Sequence, residues 1–353
     1  MENYLEDNYE LEDHRNDPAY EAWNQLAEQY EQNLAKTRGE IEVTKETGVR
    51  KMIAKEKLNI LWSLEQTAEK YADRVAVSDV NQELTWKELV KKAQVIGAEL
   101  SEKVQPGNPV PVLLEKSSET LAVMLGIVYA GCFYVPVNPM NPTERLRKIM
   151  EKLDPEVIIS DEKGKEQLAA VGNGLENKVM GPEALTTATG TELSEEQYSR
   201  LEQIQGQWKE TDVLYGIFTS GSTGTPKAIV VSHGAASRFI RHFTEIFEIT
   251  SADVIGNQAP FDFDVSVKDI YSSIMTGAQL VLIPKEYFST PPRLLDYLCD
   301  KKVTNLTWAV SALTLVSALK GLNYRVPESV KKGYVQRRSN AAKTAAYLAG
   351  KTA

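Results

Sequence analysis

The sequence predicts an α/β protein with mostly parallel sheets that are layered with helices. Short runs of β-branched and other apolar residues, such as 110–114 and 157–160, alternate with longer segments of helical periodicity, such as 84–100. Runs that are apolar throughout are typical of strands buried on both faces, as in parallel sheets covered by helices. With 353 residues, 42% of them apolar, the chain has room for two domains.

The composition argues against several classes of function. A net charge of −9 without a basic stripe argues against a nucleic-acid partner. No apolar run is long enough to span a bilayer and no signal peptide is found, so we expect a cytoplasmic protein without a membrane partner. His14, His233 and His242 lack partners at metal-binding spacing, and Cys132 and Cys299 lack metal or redox spacing. We therefore expect reduced thiols and no metal site built from these side chains.

The first 51 residues differ from the rest. Up to Lys36 they hold ten acidic residues against two basic ones. Asp17 followed by Pro18 is a typical helix start. Two interpretations stay open: a helix that binds a partner, or a helix docked on its own domain or frayed. Its apolar stripe consists of Tyr20, Trp23, Ala27, Tyr30 and Leu34.

Periodicity predicts the other elements in order. They are a helix over 61–71, a strand over 74–77, a helix from Leu84 to about Leu100, a strand over 110–114, a helix over 118–130, a buried strand after Gly131 and a strand over 157–160. Residues 161–211 are polar with little periodicity, which predicts a surface region. A helix is expected from about His233 to Phe247.

Residues 213–231 predict a strand, a phosphate-binding loop and a second strand. The loop lacks the Gly-Lys-Ser/Thr ending of a Walker A motif, so it is a nucleotide loop of another kind. Glycines let backbone N–H groups approach a phosphate, hydroxyls add donors and a lysine adds a compact positive charge. The alternative is an exposed Ser/Gly linker. The candidate phosphate-binding residues are Thr219, Ser220, Gly221, Ser222, Thr223, Gly224 and Lys227.

Residues 219–227 resemble the signature loop of the adenylate-forming (AMP-binding) ligases, T-S-G-S-T-G-x-P-K, although Ala228 stands where that family usually has glycine. Residues 130–139, A-G-C-F-Y-V-P-V-N-P, are similar to another segment of the family. The superfamily includes amino-acid adenylation domains of nonribosomal peptide synthetases, D-alanyl carrier-protein ligases, acyl-CoA synthetases and luciferases. The resemblance implies the N-terminal part of the large domain of such an enzyme.

Residues 263–267, F-D-V-S-V, resemble the F-D-x-S segment of the amino-acid branch of the superfamily. There the aspartate forms a salt bridge with the substrate's α-ammonium group, and the resemblance assigns this role to Asp264. It also implies that Val265 and Lys268 line the side-chain pocket, with 306–310 on the same wall. A lysine in that pocket would favour an acidic or polar substrate.

Alternatives to these assignments remain open from the sequence alone. Asp264 could be a helix N-cap, because the following residues favour a helix. Lys268 could be an outward-facing helical lysine, because lysine is seldom buried. Asp262 is a weaker candidate for the substrate anchor, since it is offset from the motif.

The resemblance runs from about Leu58 to Lys332 and then stops. The family's segments for adenine, magnesium and ribose, and its small C-terminal domain with a stabilising lysine, are not found beyond that point. We therefore expect an acidic extension over 1–51, a partial adenylation domain over 52–332 that is incomplete at its C-terminal end, and an unrelated basic Ala/Lys-rich tail over 333–353.

The resemblance also implies a reaction. In the intact family an amino acid and ATP, with Mg²⁺, give aminoacyl-AMP and pyrophosphate, and the aminoacyl group then passes to the phosphopantetheine thiol of a carrier protein. Lys227 would be the catalytic cation. We expect a truncated form of weak or no activity. The alternatives are a non-catalytic remnant or one half of a split enzyme, and an acyl-CoA synthetase, which Asp264 disfavours.

Overall fold

The computed structural model describes residues 58–186, 192–219, 226–319 and 321–336. All of them belong to one compact unit, Thr47–Ala353. The acidic extension and its predicted helix lie outside the described residues, as do residues 337–353 of the predicted tail. The domain boundaries after residues 51 and 332 therefore stay predictions.

Helices cover much of the described chain. In chain order they are α1 Ile60–Lys70, α2 Trp86–Ser101, α3 Ser118–Tyr129, α4 Thr143–Leu153, α5 Glu162–Val171, α6 Pro182–Thr186, α7 Glu195–Gly206, α8 His233–Ile246, α9 Val265–Thr276, α10 Pro291–Asp300 and α11 Val310–Ala318. Several begin at a side chain that satisfies free backbone N–H groups. Thr85 and Glu88 form a capping box at the start of α2, and Asp161 accepts from the N–H of Gly164 at the start of α5.

The strands form two six-stranded sheets. They are β1 Val75–Ser78, β2 Glu83–Thr85, β3 Pro109–Leu113, β4 Phe133–Pro136, β5 Ile158–Ser160, β6 Val179–Met180, β7 Val213–Thr219, β8 Lys227–Ser232, β9 Val254–Asn257, β10 Gln279–Leu282, β11 Asn305–Ala309 and β12 Lys332–Gln336. Sheet A has the order β12-β11-β9-β10-β1-β2, and sheet B the order β6-β5-β3-β4-β7-β8. Within the described strands, the only antiparallel pairs are β1–β2 and β7–β8, each at a sheet edge. The predicted α/β class with mostly parallel sheets is confirmed.

One apolar layer lies between the two sheets. It includes Ile255 and Leu280 of sheet A together with Val112 and Tyr134 of sheet B, and α3 and α9 are part of it. The outer face of sheet A is covered by α10 and α11, and the outer face of sheet B by α4 and α5. The helices after β3 and β9 therefore lie on the opposite face of their sheet from the helices after the neighbouring strands β4, β5, β10 and β11.

Close packing of α2 on α3 depends on two glycines. A Cβ atom on Gly126 would overlap the side chain of Ile96, and one on Gly97 would overlap the Cβ of Tyr129. Any larger residue at either position would force the helices apart, because interiors are packed to crystal density.

Some expectations differ from the structure. Residues 83–85 form β2 before α2 begins, whereas the sequence pattern places them near the start of the helix. The sequence predicts only a surface region over 161–211; the structure shows that α5 and α7 lie there and bury Leu168 and Leu201. The remaining predicted helices and strands within the described residues are found with small shifts at their ends.

His233 is the first residue of α8 and is only 2% exposed. Its Nδ1 accepts a hydrogen bond from the N–H of Ile60 at 3.5 Å, and its ring packs edge-on against Trp208. Burial lowers the pKa of His233 from 6.5 to about 3, because the charged imidazolium is poorly solvated there. The histidine therefore joins α1 to α8 as a neutral side chain.

This lowered pKa predicts acid destabilisation that depends on His233. Below its ordinary pKa of 6.5 the unfolded chain binds a proton that the folded chain does not, so stability is lost as pH falls from 6.5 towards 3. The loss from this group amounts to about 2 kcal/mol by pH 5. Urea unfolding at several pH values should show a shallower decline for His233→Asn than for the wild type. Parallel declines would contradict the assignment.

Candidate functional site

The predicted phosphate loop connects two paired strands. β7 and β8 form an antiparallel hairpin in which Thr219 lies opposite Lys227. Both residues are exposed. The other candidate phosphate-binding residues, 220–224, lie outside the described residues, so the structure places only the two ends of the predicted site.

Asp264 lies between the carboxyl end of β9 and the start of α9. It occupies the N-cap position of α9 in an αR conformation (φ −55°), and its side chain makes no capping hydrogen bond. Asp264 therefore occupies the N-cap position, as that alternative expected, but its side chain does not cap the helix. The carboxylate is exposed and free of that intrahelical role.

Asp264 also lies near β7. Burial raises the pKa of Tyr215 in β7 to about 12, and the negative charge of Asp264 adds to this effect. Tyr215 stacks on Tyr271 of α9 and on Tyr134 of β4, with ring centroids 6.5 and 5.9 Å apart, and the hydroxyls of Tyr134 and Tyr271 are hydrogen-bonded. This tyrosine cluster holds α9, whose N-cap residue is Asp264, against β7, the strand that leads into the loop.

The two predicted pocket residues differ in their surroundings. Val265 is the first residue of α9 and is partly buried. The side chain of Lys268 is 9% exposed, so the outward-facing alternative is wrong. Its Nζ lies 3.1 Å from Oδ1 of Asp269 and 3.0 Å from the carbonyl oxygen of Thr307 in β11. The structure thus brings Lys268 next to the 306–310 segment, where the sequence hypothesis placed it.

Asp269 is the partner that allows Lys268 to be buried. It is 2% exposed, and burial raises its pKa, although the nearby Lys268 and the amide of Asn257 oppose this rise. Nδ2 of Asn257 donates to Oδ2 of Asp269 at 3.0 Å. Both carboxylate oxygens therefore have a donor, as a buried charge requires.

A cavity of about 970 Å³ lies where the carboxyl ends of the two sheets meet. In sheet B its wall comes from 114–117 after β3 and 136–140 at the end of β4, and in sheet A from 258–262 after β9 and 284–286 after β10. In both sheets these are neighbouring strands whose following helices lie on opposite faces. Such topological switch points are where α/β proteins bind ligands.

Two charged groups of this cavity carry shifted pKa values. Burial raises the pKa of Asp262, although a hydrogen bond from Asn138 and the charges of Lys285 and Arg145 oppose the rise. Burial lowers the pKa of Lys116 to about 7, against the charges of Asp269 and Glu286. The sequence hypothesis held Asp262 as a weak candidate and missed Lys116, whose only sequence signal is its place three residues after the end of a buried strand.

Two mostly parallel sheets with switch points at one cavity are typical of α/β proteins that bind small-molecule ligands. The sequence matches the AMP-binding enzyme family over residues 64–344, and the chain belongs to this family. The match confirms the resemblance seen in residues 219–227.

Curated relatives include two kinds of protein. The chain is 30% identical to tyrocidine synthase 1 of Brevibacillus parabrevis over 251 residues, which are 71% of this chain and 22% of that protein. It is 30% identical to a D-alanine--D-alanyl carrier protein ligase of Staphylococcus epidermidis over 263 residues, which are 74% of this chain and 50% of that protein. The chain thus spans at most half the length of these relatives.

Solved structures share the fold. The nonribosomal peptide synthetase FmoA3 in its AMPPNP-bound form superposes with a TM-score of 0.71 at 22% identity, covering 86% of this chain and 32% of that one. VinN in complex with L-aspartate superposes with a TM-score of 0.70 at 20% identity, covering 85% of this chain and 75% of that one. Among the described helices, none is long and apolar enough to cross a membrane.

The buried contact between Lys268 and Asp269 leads to a stability prediction. Lys268→Met removes a charged partner of a carboxylate that stays buried, so we expect a loss of about 3 kcal/mol in the free energy of unfolding. Lys165→Met is the matched control, since Lys165 forms an exposed ion pair with Glu162 and should change stability by less than about 0.5 kcal/mol. Equal small changes in urea titrations of the two variants would show that the buried pair is not stabilising.

Proposed function

We propose that this chain provides the ATP-phosphate and amino-acid sites of an enzyme that activates an amino acid by adenylation. The observation that carries the proposal is the Asp264 carboxylate, which is not used as a helix cap and lies beside the strand that leads into the predicted phosphate loop. Membership of the AMP-binding family supports it, as do relatives named as a tyrocidine synthase and a D-alanyl carrier protein ligase.

Each candidate residue has a defined task in this reaction. Asp264 pairs with the α-ammonium group of the substrate and so orients the amino acid. A carboxylate oxygen of the substrate then forms a bond to the α-phosphorus of ATP, and the bond from that phosphorus to pyrophosphate breaks. Lys227, Thr219 and residues 220–224 bind the β- and γ-phosphates and stabilise the charge that develops on pyrophosphate. No proton has to move in this step.

Mg²⁺ would accompany ATP. This ion binds mainly through phosphate oxygens and water, with one or two protein oxygens. Within the described residues, no group of three His, Cys, Asp or Glu side chains could hold a metal ion. The proposal therefore attributes the binding of Mg²⁺ mainly to the phosphate oxygens of ATP, whose charge the ion would neutralise.

Lys268 and Val265 favour one kind of substrate within this class. They follow Asp264 on α9, and Nζ of Lys268 contacts the carbonyl oxygen of Thr307 on β11. The ammonium group of Lys268 has three N–H donors, and Asp269 and Thr307 accept two of them. The third would donate to a polar or acidic side chain of the substrate. We propose that this part of the site selects such amino acids.

The cavity at the two switch points offers a route for the second step. Its wall combines apolar side chains such as Phe261 and Leu315 with the amide of Asn138, and it reaches Asp262, two residues before Asp264. A phosphopantetheine arm has the matching chemistry, because it alternates aliphatic segments with amides. We propose that this cavity receives the arm, whose thiolate attacks the acyl carbon of aminoacyl-AMP and releases AMP.

ATP–pyrophosphate exchange across a panel of amino acids tests the first step. We expect weak exchange with at least one polar or acidic amino acid, and Asp264→Asn should raise the KM for that amino acid by about thirtyfold or more, since it removes a charge pair in the site. Asp262→Asn is the matched variant, two residues away. A larger effect there would move the ammonium anchor to Asp262.

The exchange assay also separates the alternatives. Exchange with fatty or aryl acids but no amino acid would favour an acyl-CoA synthetase and remove the role given to Asp264. Exchange that appears only after a C-terminal portion of a relative is added would favour one half of a split enzyme. A chain that stays inactive under both conditions would be the non-catalytic remnant.

Thioester formation tests the second step. With amino acid, ATP and free pantetheine, we expect aminoacyl-pantetheine, detected by mass spectrometry and destroyed by hydroxylamine. Exchange without any thioester would contradict the proposed use of the cavity while leaving the adenylation proposal intact.

A further inference from the structure

Lys116 connects the two sheets at the floor of the cavity. It lies in the loop between β3 of sheet B and α3. Its hydrogen-bond partners lie at the carboxyl end of β9 in sheet A. Its Nζ is 3.2 Å from the carbonyl oxygens of Asn257 and Gln258, 3.4 Å from that of Ala259 and 3.2 Å from Oδ1 of Asn257. Three consecutive carbonyls thus converge on one ammonium group, which has three N–H donors to share among them.

The same contacts continue to α9. Asn257, which accepts from Lys116, donates to Asp269 through Nδ2, and Asp269 accepts from Lys268. Residues 258–264 are therefore held at both ends by one set of polar contacts. Lys116 holds the end of β9, and Asp269 holds the first turns of α9. Asp264 lies within this tethered segment.

We propose that Lys116 is a positioning residue, which fixes residues 258–264 from the opposite sheet and so sets the place of the Asp264 carboxylate. Lys116 does not touch the substrate in this account. It acts through the backbone carbonyls of Asn257, Gln258 and Ala259. The expected effect of Lys116 on catalysis rests on the proposed adenylation. Its expected effect on the backbone of residues 258–264 does not.

The charge on Lys116 adds a pH dependence to this role. Burial lowers its pKa to about 7, and the charged groups that oppose this are Asp269 of α9 and Glu286 after β10. Above pH 7 the amine loses its charge and one donor, so its hold on the three carbonyls weakens. The KM for the amino acid should therefore rise between pH 7 and 9 in the wild type and stay flatter in Lys116→Arg, because arginine keeps its charge.

Three variants of the full chain separate this role from general stability. Lys116→Met removes the ammonium, Lys116→Arg keeps a cation, and Lys165→Met changes a partly exposed lysine on α5. Hydrogen–deuterium exchange of peptides covering 254–266 should be at least about tenfold faster in Lys116→Met than in Lys165→Met, since about 1.4 kcal/mol of lost protection is a factor of ten. Unchanged exchange in that segment would overturn the proposal whether or not the protein is active.

Kinetics then test the link to the site. In Lys116→Met we expect the KM for the amino acid to rise about tenfold while the KM for ATP changes less than about twofold, with partial recovery in Lys116→Arg. A loss of kcat with both KM values unchanged would contradict a positioning role. If deuterium exchange changes as expected but the wild type shows no ATP–pyrophosphate exchange, the adenylation proposal fails and the structural role of Lys116 stands.

Discussion

The buried carboxylate of Asp269 determines which side chains can pack around it. An ionised carboxyl group removed from water must have donors on both oxygens, or its burial would cost several kcal/mol. Lys268 and Asn257 supply them, and Asn257 in turn fixes Lys116. These contacts hold three parts of the chain in one arrangement. They are α9, which follows Asp264, the end of β9, and the loop of sheet B that carries Lys116. The candidate site is built on that arrangement rather than on the apolar layer alone.

Local patterns predicted most of the fold. Thr85 and Glu88 signal the start of α2 within four residues, and the continuous apolar runs of β3 and β5 need no distant information to be recognised. Elements with thin apolar stripes were missed: within α7 only Leu201 and Gln205 are buried, so its periodicity is weak. Its capping box at Ser194 and Gln197 was the signal that could have found it.

The candidate site residues also differ in whether a local sequence pattern could predict them. Thr219, Lys227 and Asp264 could be predicted as site residues because their motifs are contiguous in sequence. Lys116 could not be predicted in this way, because three of the four oxygens that it contacts are backbone carbonyls about 140 residues away, and every residue type has a backbone carbonyl. Lys268 posed the opposite problem. Its residue type favours the surface, and only the contact with Thr307 across the sheet, together with Asp269, explains its burial.

The cavity wall, shared by loops of both sheets, has a thermodynamic consequence. A molecule bound there contacts both sheets at once, and the unfolded chain offers no equivalent site. By linkage, a ligand at one hundred times its dissociation constant adds about 2.7 kcal/mol to the free energy of unfolding. Because that stabilisation vanishes if either sheet opens, occupancy increases the cooperativity of unfolding as well as the stability. The two sheets are then expected to unfold in a single transition when the cavity is filled.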